Sequence, residues 1–433
     1  MKVLILAYDF PPLISVGGQR PYSWSKYLPA SGISVTVIAR QWSSATTSHI
    51  DFVKKTPASA NPETNQQGSV IIQAGFNPNF RDRLLLRFGL ERLTLVRKLL
   101  SYFYSFLEHL FFLFDSKSDI FFTAEREINK TRPDVIIATG EPFILFKYGH
   151  CLSRKFNIPW IADYRDNWTG NQGNYKSGPL KNLLSWFYRN REQKYIGNAL
   201  LITTAAPTYA ASLKQIHPGK EVEVIYNGYD DEYFRDLASI QPPVNKFIIT
   251  YGGSVYPHQN LEMFLDGLQQ FIHQNQITEQ QLEVHFYGID ILADARERLL
   301  NYKKELNAYL KLESRVPYAE LVKKMRASHL LLLLSRKGAD WLNAKIFDYL
   351  AVKRPVFLVE NDRGIMDALL KETNGGVSLN SAEEVSAFLE NEYDNFKRGN
   401  IKDSAVNEQL LKYSRKNQAR VLGDLLHKKL SAS

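Results

Sequence analysis

What most constrains this chain is a repeated alternation of short, continuous apolar runs with helix-length segments, in two successive series. Val3 to Ala7 is apolar throughout, as a strand covered on both faces of a parallel sheet requires. A loop follows, Asp9-Phe10-Pro11-Pro12-Leu13-Ile14-Ser15-Val16-Gly17-Gly18, and then Pro21 fits a helical first turn, where its missing N–H costs nothing. Gly32 is placed to end that helix, and Val35 to Ala39 begins the next strand. Runs at 134–138, 158–162, 199–204 and 222–225 complete the first series. Residues 235–245, centred on Gln241-Pro242-Pro243, read as a connector. A second series begins at Phe247 to Tyr251 and continues at 284–287, 330–334 and 355–359. Such alternation predicts an α/β fold of two Rossmann-like, doubly wound domains, residues 1–238 and 245–407, with ligands taken in a central cleft. A terminal helix over 408–430 is expected to pack back on the first domain.

A chain of 433 residues exceeds one compact core, which agrees with two domains. Its single cysteine, Cys151, excludes an internal disulfide framework and fits a reducing, cytoplasmic compartment. The N-terminal apolar run meets Asp9 too soon for a signal peptide, and no stretch has transmembrane length. The net charge of +9 fits nucleic acid, an anionic membrane face or phosphorylated small molecules, with surplus surface lysine as the plain alternative. Neither zinc-ligand spacing nor an aromatic-basic RNA-binding pattern is present, so no nucleic acid is expected. The absence of HxxH, DxD or clustered Cys/His predicts no metal and no cofactor.

Two segments break the alternation. Residues 43–68 are rich in Ser, Thr, Asn and Gln and read as an exposed loop. Residues 80–114 are first basic (Arg81, Arg83, Arg87, Arg92, Arg97, Lys98) and then aromatic, up to Phe111-Phe112-Leu113-Phe114. This segment reads either as a docking surface for anionic lipid or as two helices buried against the sheet.

Three constellations carry chemistry. Gly17-Gly18 stands before a helix at the end of the first strand, where backbone N–H groups can approach a diphosphate; a flexible turn is the alternative. Asp163-Tyr164-Arg165-Asp166-Asn167-Trp168 follows an apolar run directly. Its charges either face a ligand, through Arg165 and Asp166, or form a structural ion pair. In Asp340-Trp341-Leu342-Asn343-Ala344-Lys345-Ile346-Phe347-Asp348, Lys345 and Asp348 share a helix face. They either hold phosphate and ribose or pair with each other at i,i+3.

In order and wording these segments resemble the family-four glycosyltransferases, retaining GT-B enzymes of bacterial polysaccharide synthesis. The likeness runs from Asp9-Phe10-Pro11-Pro12 through Asp163 to Trp168 and Ile225-Tyr226-Asn227-Gly228-Tyr229-Asp230 to Lys345–Ala351 and Arg354-Pro355-Val356. The resemblance implies a nucleotide-diphosphate sugar as donor and a glycan or lipid-linked acceptor, in the cytoplasm or peripherally on the inner face of its membrane. The first domain is then the acceptor side and the second the nucleotide-sugar side. It implies that Asp348 holds the ribose, Asp340 touches the donor sugar, and Gly17, Gly18 and Gly253 face the donor. Lys345 and Arg336 become phosphate partners, and the segment at Val316 reads the nucleobase. Arg165, Asp166 and Glu141 are the remaining candidates for sugar or acceptor contact. Both motif acids are Asp where the family carries Glu, and Trp341 replaces a glycine. These departures leave a catalytically degenerate nucleotide-sugar binder, or a membrane-surface scaffold, as the competing readings.

Overall fold

The computed structural model describes residues 1–433 apart from 14, 44, 45, 47, 49, 59, 60, 170–178, 292, 339, 340, 402, 432 and 433. It divides into two units, Met1–Asn227 with Gln418–Ser433, and Gly228–Asn417.

In the first unit the apolar runs form strands β1 (Lys2–Ala7), β2 (Ser34–Arg40), β3 (Glu63–Thr64), β4 (Val70–Ala74), β5 (Val135–Gly140), β6 (Trp160–Tyr164), β7 (Leu201–Thr204) and β8 (Val222–Val224). They lie in the order β3-β4-β2-β1-β5-β6-β7-β8, parallel except for the antiparallel β3–β4 pair. The polar segment 43–68 therefore contributes one short edge strand, β3, rather than loop alone. Strand order reverses between β1 and β5, so the carboxyl ends of those two strands form the switch point where such sheets bind ligands. Val3, Ile5 and Ala7 face one core, and Leu4 and Leu6 the other, as period-two alternation in a doubly covered strand dictates. Ala419, Leu422 and Leu426 of the helix Arg415–Ser431 join the first of these cores.

The second unit holds β9 (Phe247–Gly252), β10 (Leu282–Tyr287), β11 (Leu310–Glu313), β12 (Leu330–Leu334), β13 (Val356–Val359) and β14 (Gly376–Leu379). All its pairings are parallel, in the order β11-β10-β9-β12-β13-β14, the doubly wound arrangement with its switch point between β9 and β12. Residues 228–238, which the sequence places with the first domain, belong to the second unit. The cause is main-chain bonding: Tyr229 N–H donates to Tyr413 O (3.2 Å), and Arg415 N–H donates to Tyr229 O (2.8 Å). For the same reason the stretch up to Asn417 stays with this unit, and only the helix beyond it joins the other.

Segment 80–114 forms the helices Phe80–Phe88 and Thr94–Leu110. The first is closed by a reciprocal capping box between Asn79 and Asp82. Of the seventeen residues of the second, only His109 is buried, so the reading as two helices sealed against the sheet does not hold for it. Among the described residues, no helix is long and apolar enough to cross a membrane.

Candidate functional site

In the second unit, β9 ends at Gly252, and Gly253 follows with φ +99°, a conformation that L side chains rarely adopt. A methyl group on Gly253 would lie 2.6 Å from Lys345 Nζ, so the glycine leaves room for that amine. Lys345 opens the helix Lys345–Val352, and its ammonium donates to Tyr251 Oη (3.1 Å) and Ser254 O (3.3 Å) while standing 4.5 Å from the Tyr251 ring. Among the described residues no carboxylate pairs with it, and burial pushes its pKa down to about 7. A cation so placed gains from any anion that reaches it.

Asp348 does not pair with Lys345. It accepts a hydrogen bond from Tyr318 Oη (2.6 Å), at the start of the helix Tyr318–Arg326. Burial pushes the Asp348 carboxyl up to about 6, against the lowering effect of Arg415 and of the Tyr318 hydroxyl. The i,i+3 ion pair open to the sequence is thus not formed, because each side chain finds a partner from another strand or helix. Tyr349, the residue after Asp348, accepts from Gly252 N–H (2.7 Å) and ties the helix to the end of β9.

Val316 lies half-buried in the loop between β11 and Tyr318. That loop closes on the same place: a Cβ added to Gly288 would sit 3.5 Å from Gly253 Cα and 4.0 Å from Arg315 Cα. Arg336 is exposed just beyond β12, and its charge, after burial, lowers the pKa of His258. His258 packs between Tyr256 (rings 5.6 Å apart) and Trp341 (5.3 Å). Gly253, Lys345, Asp348, Val316 and Arg336 therefore gather at the carboxyl ends of β9 to β12. Asp340 lies outside the described residues.

In the first unit, Gly17 and Gly18 occupy the first turn of the helix Val16–Tyr27, whose N-cap Ser15 accepts from Gly18 N–H (3.3 Å). A side chain on Gly17 would collide with the Arg165 guanidinium and come within 2.7 Å of Asp9 Oδ2. Ser15 Oγ donates to that same Asp9 oxygen (2.5 Å). Arg165, one residue past β6, bonds Asp166 Oδ2 (2.9 Å) and Glu141 Oε2 (3.3 Å). Burial works against the charged guanidinium, but Asp166, Glu141 and Asp9 outweigh it and raise its pKa. Glu141 is itself raised, by burial first, with Arg165 opposing and Asp166 and Asp9 adding. Gly17, Gly18, Glu141, Arg165 and Asp166 thus meet at the β1–β5 switch point, with Asp9 as a sixth member that sequence reasoning left out.

The neighbouring Asp163 has a different task. It is fully buried and takes two bonds from Arg20 Nε (3.0 Å each), one from Arg20 Nη2 (2.7 Å) and one from Thr203 Oγ1 (2.7 Å). Both acids of the 163–168 motif are thus in ion pairs, Asp163 with Arg20 in the core and Asp166 with Arg165 at the switch point, and only the second pair is open to a ligand. Tyr251 and Tyr318 were also missed. Tyr251 could have been flagged by its place just before Gly252-Gly253, but nothing in the sequence joins Tyr318 to Asp348. Among the described residues, no group of three or more His, Cys, Asp or Glu could hold a metal ion.

Residues 18–233 match the model of Glycosyltransferase Family 4. No curated protein matches in sequence. Among solved structures the chain is similar to sucrose-phosphate synthase from Thermosynechococcus elongatus (TM-score 0.65, 14% identity, all of both chains covered). It is also similar to a glycosyltransferase from Rickettsia africae (TM-score 0.63, 14% identity, 100% of this chain and 99% of that one). A third is the Anabaena protein HepE in complex with UDP-glucose (TM-score 0.56, 12% identity, 99% and 100%). These likenesses establish the GT-B fold.

Proposed function

Since the chain belongs to Glycosyltransferase Family 4 through residues 18–233, and is a glycosyltransferase of GT-B fold, we propose that it moves a sugar from a nucleotide-diphosphate donor to a glycan or lipid-linked acceptor with retention of configuration. The observation that carries this reading is Lys345, a cation lying on Gly253 at the switch point with no carboxylate partner among the described residues. The binding of UDP-glucose by the Anabaena neighbour supports a nucleotide sugar in this fold.

Glycosyl transfer develops positive charge on the sugar ring and negative charge on the departing diphosphate. Lys345 and the helix N-terminus behind it neutralise the latter, with Arg336 beside them. Asp348 accepts the ribose hydroxyls, and Val316 borders the base. Gly17 and Gly18 keep the opening turn of their helix clear of side chains for the donor, while Arg165, held by Asp166 and Glu141, orients the acceptor. Asp340 contacts the donor sugar. The leaving phosphate takes the acceptor's proton on the face it vacates, so neither a metal nor a protein base is needed.

The setting we propose is cell-surface polysaccharide synthesis on the cytoplasmic side, with peripheral attachment to the membrane. The helix Thr94–Leu110 supports this by exposing Leu95, Leu99, Tyr102 and Phe103 beside Arg87, Arg92 and Lys98. Calorimetry with UDP, GDP and ADP, followed by NMR of the product's anomeric proton, tests the reading. No binding of any diphosphate, or an inverted product, overturns it.

A further inference from the structure

Trp341 stands where the family carries glycine, and neither the phosphates nor the ribose needs it. In the fold it meets two more rings. Tyr256 and His258, on the loop after β9, stack with ring centroids 5.6 Å apart and planes 15° from parallel. Trp341, beyond β12, stands at 82° to Tyr256 (6.0 Å) and at 86° to His258 (5.3 Å). The three rings form a right-angled corner beyond the carboxyl ends of β9 and β12, the strands that flank the switch point. Core packing does not account for it: Tyr256 is 40% exposed, His258 is exposed and Trp341 is only half-buried.

The loop under these rings is fixed although the rings meet solvent. Gln259, 1% exposed, accepts from Tyr256 N–H (2.8 Å) and donates to Leu334 O (2.8 Å), which ties the loop to the last residue of β12. Arg298 Nη2 donates to Gln259 O (2.7 Å), and Asn260 N–H donates to Ser335 O (2.8 Å). A backbone held in this way lowers the ordering cost of binding. The corner is also uncharged: burial pushes the pKa of His258 below its ordinary value and Arg336 pushes it further, so the imidazole is a neutral ring at pH 7. An aromatic face carries partial negative charge, which repels phosphate oxygens and attracts the polarised C–H groups of a pyranose.

The neighbourhood of Lys345 indicates which pyranose. Lys345 Nζ bonds Ser254 O (3.3 Å), and Tyr256 follows two residues later, within about 7 Å along the chain. Trp341 lies on the segment that leads into the helix Lys345–Val352. A diphosphate held by Lys345 thus carries the sugar on its outer phosphate up to these rings. We propose that Trp341, Tyr256 and His258 form a platform for the donor's own sugar, an uncharged hexopyranose whose C–H face lies on the corner that Trp341 completes. This rests on the glycosyltransferase reading above. A ring in place of glycine thereby gives this chain a sugar contact made by stacking rather than by hydrogen bonds.

The experiment separates the sugar from the nucleotide. Calorimetry compares the bare diphosphates UDP, GDP and ADP with UDP-glucose, UDP-galactose, GDP-mannose and ADP-glucose on the native chain, Trp341→Leu and Trp341→Phe. Leucine keeps apolar bulk without an aromatic face, and phenylalanine keeps the face. Expected is a conjugate affinity about fivefold weaker in Trp341→Leu, with the bare diphosphate unchanged, and recovery in Trp341→Phe. The unchanged diphosphate also shows that the variants fold. In saturation-transfer NMR, the ring protons of the bound hexose receive magnetisation from the native chain and lose it in Trp341→Leu, while the base protons keep theirs. Equal loss for diphosphate and conjugate, or no loss for either, overturns the proposal and leaves the donor reading standing. Failure of all three diphosphates to bind the native chain overturns the donor reading, and this proposal with it. Saturation of methyl α-glucoside by the nucleotide-free chain would assign the corner to the acceptor and overturn the donor placement.

Discussion

If Lys345 meets the diphosphate, donor binding must take up a proton. In the free protein its pKa is held near 7 by burial, and an arriving diphosphate removes that penalty and restores a pKa well above 9. The folded, unliganded chain is thus half-protonated at pH 7 and only about 1% protonated at pH 9. If the complex needs the ammonium form, affinity falls about 50-fold between those values, about 2.3 kcal/mol. The ligand adds little to this slope, because a terminal phosphate with a pKa near 6 is ionised throughout (about 6 is the usual value). Isothermal calorimetry with UDP at pH 7, 8 and 9, repeated in phosphate-free buffers of different ionisation heat, counts the proton directly. About 0.9 proton should be taken up at pH 8. Lys345→Met keeps the side-chain length and suits the apolar stem position. It should weaken UDP binding at pH 7 by about 1.5–3 kcal/mol, the range for a charge-assisted hydrogen bond, and flatten the pH profile. An affinity that is flat from pH 7 to 9 in the native chain, with no proton uptake, would refute the assignment of Lys345 to the phosphates.

Other expectations follow from the same geometry. Asp348 has a folded pKa of about 6, above its unfolded value, so its ionisation lowers stability as pH rises through that interval. Asp348→Asn should therefore raise the melting temperature at pH 7.5, by a gain of about 1–3 kcal/mol, while weakening UDP binding; a destabilised variant of unchanged affinity would contradict both halves. Gly253→Ala forces a methyl into the left-handed region and onto Lys345 Nζ, and should cost about 1–3 kcal/mol in chemical denaturation together with most donor affinity. Asp163→Asn leaves Arg20 buried without its countercharge and should cost about 3–5 kcal/mol, with UDP affinity unchanged wherever the variant is folded. Arg165→Lys, which cannot reproduce the fork to Asp166 and Glu141, should reduce transfer at least tenfold without altering UDP affinity.

Much of the architecture was legible because hydrophobic periodicity is local. Val3 to Ala7 or Leu330 to Leu334 must be covered on both faces wherever they fold, and alternation with helices then leads to parallel sheets. The boundary near 238 was less legible, because it depends on Tyr229 bonding to Tyr413 and Arg415 far along the chain. The helix Thr94–Leu110 shows another limit: its composition suits either lipid or a protein core, and only its lack of cover in the fold separates the two.

The sequence by itself determined the two series of strands, the glycine pair between β1 and β2, the glycines at the end of β9, and the presence of Lys345 and Asp348 within one helix. Partner choice belonged to the tertiary structure. Lys345 turned to Tyr251, 94 residues away, Asp348 turned to Tyr318, and Asp163 took Arg20 across 143 residues while Arg165 took Asp166 and Glu141. A charged side chain has several partners within reach in sequence, and burial penalises every arrangement that leaves one unmatched. Which match prevails depends on the strands and helices brought alongside, and that information is absent from any single segment of the chain.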